Sequence, residues 1–320
     1  MHLSLADEFI FNSTEIEISE DGNIITASEG TAVSTSDAIK IEAKKFTYNK
    51  SQSILYANSG IVKSTEDNIE IRANKLIFNQ NLSIINATGN VKIEDLNKNF
   101  LFESQNISYD IKKKIISSES KSSFKDNSNN FFLVKNFIYT IKNRLIKMYN
   151  AEVTTSTNDV YKIEEAYLNL NNQLLIGKDI SINFNSMSSD KGISARLKGN
   201  TISANNLEST INKAVFTTCK KSDDCPPWQF SAKTIKHDKK KKTIFYDDAV
   251  LKLYDVPVFY FPKFFHPDPT VKKQSGFLMP AFKSSTSLGS SFEIPYYHVI
   301  SSNKDFTFTP RLYSNDKALL

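Results

Sequence analysis

Six segments of the chain repeat one grammar at a nearly constant interval. AKKFTYNKSQSILYANSGIV from Ala43, ANKLIFNQNLSIINATGNVK from Ala73, SQNISYDIKKKIISSESKSS from Ser104 and VKNFIYTIKNRLIKMYNAEV from Val134 match closely, while IEEAYLNLNNQLLIGKDISI from Ile163 and AKTIKHDKKKKTIFYDDAVL from Ala232 fit more loosely. The first five begin 30, 31, 30 and 29 residues apart, and a fixed period of this length marks a repeat architecture. The fourth and sixth positions of the copies hold Phe46 and Tyr48, Leu76 and Phe78, Ile107 and Tyr109, Phe137 and Tyr139, Ala166 and Leu168, Ile235 and His237. Spacing by two is strand alternation. The seventh position is Asn49, Asn79, Asp110, Thr140, Asn169 or Asp238, followed by polar or basic residues and a second apolar run, so each copy reads as strand, turn, strand. One hairpin cannot bury its apolar face; a stack of hairpins shares a continuous one. The expected fold class is therefore all-β. The 23 Phe and 13 Tyr among 320 residues, with long stretches rich in Ile, Asn, Ser, Thr and Lys, agree with strands and turns rather than helices.

The same phase decides how to read the run KHDKKKK, Lys236 to Lys242, which falls on the turn of its repeat and is expected to be a solvated hairpin tip. The net charge of +5 comes from 40 basic and 35 acidic residues with no arginine-rich patch, which argues against a nucleic-acid partner. Periodicity leaves two uses for the inward aromatics. Most period-two apolar faces pack against protein as core; a wall in contact with lipid is the sharper alternative.

Cys219 and Cys225 lie six apart in CKKSDDCPPW, with His237 as the nearest histidine. That set is too small for a structural zinc site. A disulfide is expected in an oxidising compartment and two free thiols in a reducing one. No apolar run approaches the roughly 18 to 20 residues of a membrane helix. LSLADEF, Leu3 to Phe9, has small residues at Ser4 and Ala6, as at the end of a cleavable signal, so residues 1–8 are expected to be a signal-peptide remnant.

From Thr217 the motifs become specific. TTC, CPPWQFSAKTI, YDDAVLKLYDVPVFYFP, HPDPTVKKQSGFLMP, LGSSFEIPYYHVI and DFTFTPRLYSND follow in order up to Asp316, and together they resemble the LptD family of outer-membrane lipopolysaccharide-assembly proteins. The hairpin repeats upstream are similar to that family's periplasmic OstA/LptA-like β-jellyroll. The resemblance implies a jellyroll over residues 9–255, a Pro-rich junction over 256–275 and the first strands of a transmembrane β-barrel over 276–320, with the barrel incomplete in this chain. Pro257, Pro262, Pro267 and Pro269 remove backbone donors and fix φ, which suits a stiff connector. After Gly276, segments of about ten residues separated by Ser, Asn and Gly turns match tilted membrane strands. About three such strands cannot satisfy their edges in a bilayer alone, so further strands are expected.

By the same resemblance the chain is not an enzyme and needs no cofactor. It would carry lipopolysaccharide with acyl chains inside the jellyroll, making Phe46, Tyr48, Leu76, Phe78, Ile107, Tyr109, Phe137, Tyr139, Leu168 and Ile235 the candidate lipid-binding residues. Pro280 and Pro295 match family positions at a lateral gate in the barrel wall, through which lipid reaches the outer leaflet. Implied partners are the lipoprotein LptE and an LptA-type periplasmic bridge, with the barrel in the outer membrane and the jellyroll in the periplasm. Cys219 matches a family cysteine that bonds to the barrel end, a partner outside these residues; Cys225 is a local alternative.

Two rivals come from other classes. A soluble periplasmic bridging jellyroll of the LptA type would share the repeats but should stop before VPVFYFP. A hydrolase would use His266 and Asp268 in HPDP, yet no G-x-S-x-G or H-E-x-x-H frame surrounds them, and two prolines in four residues indicate a turn.

Overall fold

The computed structural model describes residues 9–96, 100–189, 193–217, 227–267, 271, 273–278, 280–285, 289–314 and 318–319. Among them every regular element is a β-strand, as the repeat requires. The chain divides into two compact units, the first comprising Met1–Lys236 with Tyr246–Phe264 and the second His237–Phe245 with Phe265–Leu320.

The first unit is a long antiparallel meander. From Ile10–Ile18 to Phe100–Asp110 each strand hydrogen-bonds to the next. Ile115–Ser118 and Ser122–Lys125 then share one strand position beside Phe100–Asp110, and Asn136–Thr140 and Phe131–Val134 share the following one. Regular pairing resumes from Leu145–Thr154 to Glu208–Thr217.

The turn chemistry is that of the repeat's seventh position. The side-chain oxygens of Asn49, Asn79, Asp110 and Asp238 accept the backbone N–H three residues on, at 3.1, 3.1, 2.9 and 2.8 Å, and Asn169 accepts from Asn171 at 2.9 Å. These bonds give the chain a local reason to reverse. Each loop ends on a left-handed residue: Ser53, Ser83, Lys114, Arg144, Gln173 or Lys242, with φ between 51° and 56°.

With the turns set, register brings the inward residues into a row. Tyr48 faces Leu55, Leu55 faces Phe78, and the line continues through Ile85, Tyr109, Ile116, Tyr139 and Ile146 to Leu168. A parallel row runs from Phe46 through Ala57, Leu76 and Ala87 to Ile107. All of these side chains are buried, and each large one contributes about 1.5–3 kcal/mol by leaving water.

The sheet is also folded over. Tyr109 lies level with Phe78 through Ile85, and Phe78 is eleven residues along the chain from Asp67, about 36 Å in an extended strand. The Tyr109 hydroxyl nevertheless donates to Asp67 at 2.6 Å, so the two edges of turns meet. A crease makes this fold: Glu29, Ser59, Asn90, Asn150, Asp179 and Lys213 interrupt alternate strands with φ of 42° to 53°. Around Asn90 the register shifts on both sides, between Arg72–Lys92 and Lys75–Thr88 and between Thr88–Asn106 and Val91–Ser104, and such bulges bend and twist a strand. At Gly60 the bend is tight, since a Cβ there would sit 2.7 Å from Leu76 Cδ1.

The second unit holds two short antiparallel sheets. One joins Gly276–Phe277, Tyr296–Ser301 and Lys304–Phe308; the other joins Ala281–Ser285, Gly289–Glu293, Arg311–Tyr313 and Ala318–Leu319.

Candidate functional site

The interior of the first unit gathers nine of the candidate lipid-binding residues. Phe46, Tyr48, Leu76, Phe78, Ile107, Tyr109, Phe137, Tyr139 and Leu168 are all buried, and Ile235 is buried on Trp228–Asp238. There they pack as core. Four further rings belong with them: Phe102 stacks on Phe137 at 5.1 Å, Phe124 on Phe132 at 4.6 Å, and Phe100 meets Phe102 edge-on at 4.7 Å. Sequence reading passed over Phe100, Phe102, Phe124 and Phe132 because they sit on the far half of each repeat. The alternation in FLFES and the paired Phe in NNFFLV were the available signal.

Two polar contacts close the seam between the turn edges. The Tyr109 hydroxyl donates to Asp67, and Lys114 pairs with Asp67 at 3.0 Å and Glu66 at 2.6 Å. One repeat on, the Tyr139 hydroxyl donates to Asp95 at 2.8 Å and Arg144 approaches the same carboxylate at 3.5 Å. Burial, reinforced by the adjacent carboxylate, pushes both phenols well above their ordinary range. Since folding favours the protonated phenol, this contribution to stability is intact below about pH 10, where an unfolded tyrosine begins to ionise, and is lost as pH rises further. In alkaline spectrophotometric titration, Tyr109→Phe and Tyr139→Phe should each remove absorbance change only from the cooperative unfolding step. A smooth ionisation near pH 10 by either tyrosine would contradict its burial.

The other polar candidates are quiet. Residues 239–242 form an exposed turn, as the repeat phase predicts. Lys236 pairs with Glu208 at 2.6 Å. His266 Nδ1 lies 2.6 Å from the carbonyl of its neighbour Pro267. Asp268, Cys219 and Cys225 lie outside the described residues. Among those described, no three His, Cys, Asp or Glu side chains gather as a metal site.

In the second unit the apolar face turns outward. Phe282 pairs with Phe292, Phe292 with Leu312 and Leu312 with Ala318 across four strands; Phe282 is 82% exposed and Leu312 56%. The alternate row is charged: Glu293, only 5% exposed, lies between Lys283 at 3.0 Å and Arg311 at 2.5 Å. Pro280 falls between Gly276–Phe277 and Ala281–Ser285, and Pro295 between Gly289–Glu293 and Tyr296–Ser301. Pro310, which sequence reading did not single out, interrupts the third strand in the same way, between Lys304–Phe308 and Arg311–Tyr313. The breaks are aligned, for Leu278 N–H donates to the Pro295 carbonyl at 2.8 Å and Ile294 N–H to that of Pro310 at 3.2 Å. The regular spacing of 15 residues between successive prolines was the missed signal. Upstream, Val256–Pro267 is one extended strand running through Pro257 and Pro262, with exposed Val256, Phe259 and Tyr260.

Comparison with known proteins adds to this geometry. Residues 244–318 match the family model described as LptD protein. The chain is 39% identical over 113 residues to an LPS-assembly protein LptD of Shewanella denitrificans, covering 35% of this chain and 14% of that relative. It is 36% identical over 109 residues to one of Nitrosococcus oceani, covering 34% and 14%, and 32% identical over 168 residues to one of Shewanella frigidimarina, covering 52% and 20%. The chain therefore spans a fifth or less of the length of these relatives. Over residues 244–318 the chain is thus similar to the LptD protein family.

Proposed function

We propose that the chain is part of an outer-membrane protein that assembles lipopolysaccharide at the cell surface, acting as a conduit and not as an enzyme. The observation that carries this reading is a reversal along the chain. The first unit hides its aromatics, Phe46, Phe78, Phe102 and Phe137, whereas the second buries Glu293 and Ser291 and exposes Phe277, Phe282 and Leu312. The first pattern suits a groove for acyl chains in an aqueous compartment, where each sheltered methylene contributes about 0.8 kcal/mol. The second suits strands with one face to lipid and one to a polar lumen.

On this reading residues 9–255 form the periplasmic jellyroll, 256–275 the junction and 276–320 the first barrel strands. Lipopolysaccharide arrives from an LptA-type bridge by strand-edge pairing, a contact that the exposed Ile10, Ile16 and Ile18 on Ile10–Ile18 would favour. It leaves through a lateral gate at Pro280 and Pro295, in a barrel occupied by an LptE-type lipoprotein. A soluble LptA-type bridge is the alternative; the outward row Phe282–Phe292–Leu312 weighs against it, because large apolar patches are costly in water.

Site-specific photocrosslinking in the full-length protein tests the conduit. Photoreactive residues at Phe78, Tyr109 and Tyr139 should capture lipopolysaccharide, while Lys113 and Asn143, on turns, should not. Equal capture at both sets would remove the assignment of the inward rows to lipid.

A further inference from the structure

The seam between the two turn edges is not uniform, and its pattern follows one rule. An aspartate on one edge precedes the sixth-position residue by 41 to 44 places in four repeats: Asp37 and Phe78, Asp67 and Tyr109, Asp95 and Tyr139, Asp126 and Leu168. Where that residue is tyrosine, the aspartate crosses the seam to take its hydroxyl. Where it is Phe or Leu, the aspartate bonds within its own loop. Asp37 accepts from Ser34 at 3.1 Å and Ser36 at 3.4 Å, and Asp126 accepts from the N–H groups of Ser128 and Asn130 at 2.8 and 2.9 Å. Both crossed repeats also carry a cation at the left-handed loop position, Lys114 and Arg144, where the first, second and fifth repeats have Ser53, Ser83 and Gln173; Lys242 of the sixth repeat is a cation too, on an exposed turn. Tyrosine, aspartate and a cation thus occur together in the third and fourth repeats, forming two adjacent clasps over the aromatic interior.

An amphiphile with a large polar head cannot draw that head through an apolar interior, because burying unpaired polar groups costs several kcal/mol. Its chains must lie inside the fold and its head outside, so it straddles the seam, and any clasp in its path has to part. We propose that the two clasps are successive binding steps for an acylated, phosphorylated glycolipid: as each opens, Lys114 and then Arg144 pass from protein carboxylate to a headgroup phosphate. The exchange replaces one charge-assisted contact by another, so opening leaves no cation stranded. The proposal rests on the conduit reading above and adds to it where the head is held.

The test uses the full-length protein in detergent, with a diazirine amino acid at Ile116, which lies in register between Tyr109 and Tyr139, and with bisphosphorylated lipid A as probe. Tyr109→Phe with Tyr139→Phe removes the crossing hydroxyls and keeps the cations; capture at Ile116 should become about ten-fold faster. Phe78→Tyr supplies the hydroxyl that the repeat spacing would pair with Asp37 and should slow capture several-fold, a direction that general loosening of the fold cannot produce. Lys114→Gln with Arg144→Gln should abolish the preference for lipid A over its dephosphorylated form. Unchanged rates in both hydroxyl variants would overturn the clasps as steps on the path, and an unchanged phosphate preference would overturn the handover. Failure of the unsubstituted protein to capture either lipid at Ile116, with capture absent also from Phe78 and Tyr139, would remove the conduit reading itself.

Discussion

Replacing Pro280 and Pro295 together by alanine in the full-length protein should lower delivery of lipopolysaccharide to the cell surface several-fold and sensitise cells to large hydrophobic antibiotics, with the protein level unchanged. Proline has no N–H to offer a neighbouring strand, and inside a bilayer each missing backbone bond costs several kcal/mol. Both prolines lie where a strand is interrupted, and Pro310 continues the line into a third. Across this line the described residues are joined by the bonds from Leu278 to Pro295 and from Ile294 to Pro310. Alanine restores a donor at each position and allows Gly276–Phe277 to run on into Ala281–Ser285, and Gly289–Glu293 into Tyr296–Ser301. A wall stiffened in this way resists parting sideways. Adding Pro310→Ala should deepen the defect, because all three strands could then zip. Normal surface delivery in a stably assembled double variant would count decisively against a gate at these residues.

How far the sequence alone carried the fold depended on whether the physical cause was local. The hairpins were legible because their causes lie within a few residues: Asn49, Asn79 and Asp110 cap their own turns, and alternation by two then dictates which side chains point inward. Ser59 and Asn90 were harder to read. A left-handed residue in the middle of a strand leaves the apolar pattern nearly intact, and its effect, folding the sheet until Asp67 meets Tyr109, appears only over tens of ångströms. The clasps were illegible for the same reason, since their partners stand 42 and 44 residues apart and become neighbours only after the crease has formed. In the second unit, Pro280 and Pro295 were recognisable from motif order, whereas the part played by Pro310 needed the register that sets three breaks side by side. Phe282 and Leu312 carry the opposite lesson. Their alternation resembles that of Phe46 and Tyr48, and a period of two does not say which side of a sheet faces water.

That ambiguity supports the sharpest expectation for the second unit. Phe282→Arg or Leu312→Arg should prevent stable assembly of the full-length protein in the outer membrane. Phe282, Phe292 and Leu312 form one row on the face opposite Glu293 and Arg311. If that row contacts lipid, a charge there costs about 2–4 kcal/mol near the bilayer midplane, and two such changes together approach the whole stability of many domains. If the row instead faces water, as a soluble bridging protein would require, arginine replaces an exposed apolar side chain and should be neutral or mildly favourable, within about 0.5 kcal/mol. Tyr56→Arg supplies the comparison, because Tyr56 is a half-exposed aromatic on the first unit and the substitution there should leave assembly unaffected. The measurement is the amount of folded, heat-modifiable protein recovered from outer membranes. Tyr56→Arg assembling normally while both second-unit variants are lost would place the Phe282–Phe292–Leu312 row in lipid. Normal assembly of Phe282→Arg and Leu312→Arg would instead mean that these strands do not face the bilayer, and the apolar row would have to be covered by protein.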